Sequence, residues 1–111
     1  MEHPFQFTRR DAADLLEWRL GSSGLGLAFD TKGRRPLMIQ AAGLFHGAIL
    51  RWETSLAEAA PFETAKTTQG LPAVWSGGRL AALEGPVGLV RPRVEGGTPE
   101  TEVKLWLLVS H

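Results

Sequence analysis

The sequence predicts an α+β fold, an N-terminal helix packed on a mostly antiparallel, strongly curled sheet of about five to six strands. Three observations carry that expectation. A helix-capping signature opens at Thr8. Short apolar runs broken by Gly, Pro and Asp recur from Leu25 onward. The run from Thr101 to Val109 is apolar on both faces of a strand.

The helix is expected from about Arg9 to Leu20. Thr8 caps it, Asp11 at the third helical position forms a weaker capping box, and Phe7 and Ala12 are spaced as a hydrophobic staple. Ala12, Leu15, Leu16, Arg19 and Leu20 follow helical spacing, with the aliphatic stem of Arg19 along the edge of the stripe. Asp11, Asp14 and Glu17 then fall on a solvated side, and Gly21 supplies the stop.

Leu25 to Asp30 is the first expected strand, closed by the turn residues Asp30, Thr31, Lys32 and Gly33. Pro36 to Ala42 follows, with proline tolerated at its start. A third strand runs from Phe45 or Gly47 to Glu53, with Ile49 and Arg51 on one face and Leu50 and Trp52 on the other. The links between these three are too short for helical crossovers, so they are expected to form an antiparallel meander. Ser55 with Glu58 repeats the capping pattern and predicts a short helix from Leu56 to Ala60, ahead of Pro61. Val74 and Trp75, Arg79 to Leu83, and Val87 to Val94 supply further strands. They are separated by Ser76-Gly77-Gly78 and Glu84-Gly85-Pro86, and Pro92 marks the last as an edge or bulged strand.

In the closing strand, Val103, Leu105, Leu107 and Val109 share one face, and Lys104, Trp106 and Leu108 the other. A strand apolar on both faces needs cover on both sides. The helix covers one side. The other needs a second layer, a strong curl or a partner subunit.

Composition sets outer bounds. A chain of 111 residues fits one domain, and no internal repeat or linker divides it. Lys+Arg 12 against Asp+Glu 12 gives zero net charge, which argues against bulk electrostatic binding to polyanions. The absence of Cys excludes disulfides, thiol nucleophiles and thiolate metal sites. The absence of Cys and Asn suits a thermophilic or a GC-rich bacterial source equally well. The N-terminus lacks a basic start followed by an apolar core, and no apolar run reaches membrane-spanning length. A cytoplasmic location without membrane attachment is therefore expected.

No motif assigns a reaction. His3, His46 and His111 lack any paired helical spacing, so no metal site is expected. There is no Gly-x-Ser-x-Gly elbow, and Gly21 to Gly26 lies after the first predicted element and before a strand, the reverse of the nucleotide-binding order. No catalytic residue or cofactor is predicted. The leading reading is a non-enzymatic binding or assembly protein that self-associates as a homodimer. Its interface residues are Trp52, Trp106 and Leu108, on faces opposite the most regular apolar rows; another protein partner would use the same surface. The alternative is a nucleic-acid-binding module using Lys32, Arg34 and Arg35 at a turn and Arg91 and Arg93 on a strand, with tryptophans as stacking surfaces. A second alternative is a small enzyme or ligand-binding domain with a pocket behind the curled sheet.

Overall fold

The computed structural model describes residues 2–84 and 88–111, and within them every regular element is a strand. The N-terminal segment predicted as a helix is a β-hairpin. Its arms are β2 (Gln6–Arg9) and β3 (Ala13–Leu20), which pair antiparallel with Phe7 opposite Leu16. A two-residue period overrides the helical one here. Asp14, Leu16, Trp18 and Leu20 point inward and are buried, while Leu15, Glu17 and Arg19 point outward. The helical stripe left Trp18 out, yet this is the largest apolar side chain in the segment. A strand buries it with both leucines; a helix would not. Arg10 N–H donates to the Ala13 carbonyl at 2.9 Å, so the supposed first helical turn closes a hairpin.

The remaining strands are β1 (Glu2–His3), β4 (Leu25–Gly26), β5 (Phe29–Asp30), β6 (Pro36–Leu44), β7 (Ile49–Ser55), β8 (Glu63–Thr64), β9 (Val74–Trp75), β10 (Arg79–Ala82), β11 (Leu89–Glu95) and β12 (Glu102–Ser110). They form two sheets. The five-stranded sheet has the order β10-β6-β12-β3-β2 and is antiparallel throughout. The seven-stranded sheet follows β1-β4-β11-β7-β8, with β5 added on β11 and β9 on β7. The fold is thus a small β-sandwich, and the single curled sheet is corrected to two facing sheets. The second sheet, rather than a helix, supplies the cover that the inner face of β12 requires.

The second predicted helix, Leu56 to Ala60, is also absent. Ser55 Oγ lies 2.8 Å from the Ala57 carbonyl and 3.1 Å from the Ala60 carbonyl, and Ala60 N–H donates to Ala57 at 3.0 Å. The hydroxyl that was expected to cap a helix folds the chain into a compact turn. Val87, the first residue of its predicted strand, and Gly85 and Pro86 of the preceding break lie outside the described residues. From Leu89 onward that strand is β11, paired along its length with β7.

The core lies between the sheets. Leu16, Trp18, Ile39, Leu105 and Leu107 from one sheet meet Leu50, Trp52, Val90 and Val94 from the other. Gly26 allows this closeness at one point. A Cβ there would lie 2.7 Å from Pro92 Cδ and 2.8 Å from Trp18 Cδ1.

Candidate functional site

The two outer faces of the sandwich differ in chemistry. On the seven-stranded sheet, β7 and β11 carry a charge ladder. Arg91 Nε is 2.8 Å and Arg93 Nε 3.2 Å from the Glu53 carboxylate, and Arg51 Nε is 2.9 Å from Glu95. Arg51 also donates to Thr64 Oγ1 at 2.8 Å, and the Arg91 guanidinium lies 3.6 Å from the centroid of the Phe62 ring. The register explains the ladder: Arg91 stands opposite Glu53, and Arg93 opposite Arg51, which turns to Glu95.

The outer face of the five-stranded sheet is apolar at its centre. The register sets Leu15, Leu108 and Met38 abreast, and next to them Glu17, Trp106, Gln40 and Leu80. Between these rows lies a groove of about 300 Å³, floored by Met38, Trp106 and Leu108 and flanked by Leu15 and Leu80. Leu80, on edge strand β10, is 56% exposed. Arg10, from the β2–β3 turn, and Gln40 are the polar side chains that line it.

Trp106 is held in place from one side. Its Nε1 donates to Glu17 Oε1 at 2.9 Å, while Glu17 Oε2 accepts from Arg19 Nε at 3.0 Å. The Arg19 hydrogen bond, against partial burial and with help from Trp106, holds the Glu17 carboxyl below its ordinary range. Glu17 is therefore ionised at neutral pH and already engaged.

The predicted site residues separate. Trp106 and Leu108 lie half-buried on this outer face. Trp52 is fully buried in the core and has no surface to give a partner. Of the basic residues, Arg34 reaches inward: its Nη1 is 2.6 Å from Asp14 Oδ2, its Nε donates to the Thr31 carbonyl, and its guanidinium stacks 5.5 Å from Phe29. Arg91 and Arg93 are held by Glu53. Lys32 and Arg35 are exposed, and neither has an ion-pair partner among the described residues. Three of the five thus spend their charge on internal carboxylates.

Asp14 is the feature that the sequence reading missed. Expected on a solvated helix face, it is fully buried on the inner row of β3. It receives Arg34, His111 Nε2 at 2.8 Å and, at 3.6 Å, Arg9. Burial alone would raise its pKa. The hydrogen bonds from His111 and Arg34 and the charge of Arg9 outweigh that and lower it. The available signal was alternation: a carboxylate in step with Leu16, Trp18 and Leu20 must bring its own cations.

His46 sits at φ 48° in the turn between β6 and β7, and His3 is exposed on β1. Among the described residues no group of three or more His, Asp or Glu is placed to hold a metal ion. No helix among them is long and apolar enough to cross a membrane.

No protein-family model matches the chain, and no curated protein matches it. A solved structure described as a cupin domain from Bordetella pertussis Tohama I shares 14% identity, with 100% of this chain and 98% of that one covered and a TM-score of 0.44.

Proposed function

We propose that this β-sandwich domain binds a small apolar molecule in the groove on the outer face of its five-stranded sheet. The supporting observation is the asymmetry of the two outer faces. One is covered by paired charges; the other keeps Met38, Leu80, Trp106 and Leu108 around an open groove of about 300 Å³. That volume is at the lower end for small-molecule sites, and an apolar lining with few polar groups is their usual character. Trp106 supplies a flat, rigid wall, pinned by Glu17.

The test uses the tryptophans. Trp18, Trp52 and Trp75 are buried, and Trp106 is the one that borders the groove. Titration with octanol should move the Trp106 indole N–H signal and leave the other three nearly still. Leu108→Asp should abolish the shift. An unmoved Trp106 signal at millimolar probe would remove the reading.

A second reading places another copy of the chain on the same face. The exposure of Leu80 beside Trp106 favours it, because an apolar edge strand next to an apolar face suits sheet-on-sheet docking. Light scattering separates the two: self-association predicts a dimer that Leu80→Lys dissociates, and a strict monomer at high concentration would sink it. Nucleic-acid binding is less well supported, since Arg34, Arg91 and Arg93 are each held by a carboxylate.

A further inference from the structure

We infer that the groove selects a small carboxylate with an apolar tail, its anionic head taken by Arg10. This deepens the ligand-binding reading and rests on it. Arg9, Arg19, Arg34, Arg51, Arg91 and Arg93 each lie against a carboxylate, whereas Arg10, Arg35 and Arg79 have no ion-pair partner among the described residues, and of these three Arg10 alone lines the groove. Arg10 lines the groove, and among the described residues its side chain has no ion pair or hydrogen bond. Asp11, its neighbour in the turn, makes no ion pair with it. A guanidinium beside an apolar cleft presents a planar fork of donors that matches a carboxylate.

The rest of the site gives the ligand a direction. Arg10 comes from the β2–β3 turn, at the end of the sheet where Leu15 and Leu108 stand abreast. On the other side of Leu15 along β3 is Glu17, ionised and occupied by Arg19 and Trp106. An anionic head is repelled from Glu17 and drawn to Arg10, so the tail lies over Trp106 towards Leu80. The groove holds about ten water-sized groups at roughly 30 Å³ each, which suits a short chain or one ring. Gln40 beside Trp106 and Leu80 offers one neutral amide along the tail and no second charge.

The test pairs two probes of one chain length, octanoate and octanol, at pH 7 and below micelle-forming concentrations, read at the Trp106 indole signal. Octanoate should bind about fivefold tighter than octanol, the scale of one solvent-accessible ion pair. Arg10→Gln should erase that difference by weakening octanoate alone, and added salt should do the same. Arg10 is exposed, so its replacement leaves the core untouched. Equal affinities in the unmodified protein, or an Arg10→Gln variant that keeps the preference, would overturn the inference while leaving the apolar groove in place. If neither probe moves Trp106, the ligand-binding reading itself fails and the inference falls with it.

Discussion

Trp18 and Trp52 meet edge to face across the sandwich, their ring centroids 5.9 Å apart and their planes at 78°. One comes from β3 and the other from β7, so this contact joins the two sheets at the centre of the core. The two indoles differ in their polar ends. Trp18 Nε1 donates to the Leu27 carbonyl at 3.0 Å, whereas Trp52 Nε1 has no partner among the described residues.

That difference makes the two positions respond differently. Trp52→Ala should cost about 3–5 kcal/mol in urea unfolding, from lost burial and the cavity left behind. Trp52→Phe should cost clearly less, because it keeps a ring and removes an orphaned donor whose burial costs about 1–3 kcal/mol. Trp18→Phe enjoys no such offset, since it strips the Leu27 carbonyl of its donor. Equal losses for Trp52→Phe and Trp52→Ala would refute this account.

Asp14 should confer a specific acid sensitivity. Its pKa is lowered in the folded protein, so the carboxylate stabilises the fold above its unfolded value near 3.8. That contribution is lost as pH falls through the lower, folded value. Asp14→Asn should therefore lower the melting temperature at neutral pH and narrow its gap to the unmodified protein under acid conditions. Thermal melts from neutral pH downward measure this directly. A constant gap at all pH values would show that the Asp14 charge is not what Arg34, Arg9 and His111 stabilise.

Glu53 tests the charge ladder. It is largely buried and serves Arg91 and Arg93 together, with Arg91 itself stacked on Phe62. Glu53→Gln leaves Arg93 without its anion and Arg91 with only the longer contact to Glu2 at 3.9 Å, and should cost about 1.5–3 kcal/mol, the range for hydrogen bonds to charged groups. Arg51→Gln, whose partner Glu95 is about half exposed, should cost no more than about 1 kcal/mol. Equal losses would mean that burial does not set the strength of these pairs.

The strands legible in the sequence are those whose inner row is unbroken. β12 reads correctly because Val103, Leu105, Leu107 and Val109 alternate without a charged residue among them. In β3 the same row begins with Asp14, and the preceding Thr8 and Asp11 imitate a helix cap. One buried charge and one local signal were enough to hide a two-residue period. The outer face was partly legible. Trp106 and Leu108 lie on it because β12 is central, but Trp52 belongs to the opposite sheet, and a second layer was only one of three ways the sequence left open to cover β12. Arg91 and Arg93 looked free because their partner, Glu53, is 38 and 40 residues away in sequence. The position of Arg10 beside the groove depends on a hairpin turn that the helix assignment concealed.

Gly43 links the backbone to the groove. It sits at φ 120° opposite Val103, where β6 pairs with β12, and those two strands floor the site. An alanine Cβ would collide with the carbonyl oxygen of Glu102, a backbone atom that cannot rotate away. Both the left-handed conformation and the collision penalise a side chain there. Gly43→Ala should thus destabilise the protein by about 1–3 kcal/mol even though the position is exposed. Amide exchange should accelerate first along Leu44 and Glu102 to Lys104, at the end of the β6–β12 ladder. Because Met38 and Leu108 lie further along the same two strands, octanol should still move the Trp106 signal in the fraction that remains folded. A Gly43→Ala protein as stable as the original would show that the ladder absorbs the added methyl group by a backbone shift, and its altered register would then appear in the exchange pattern of β12.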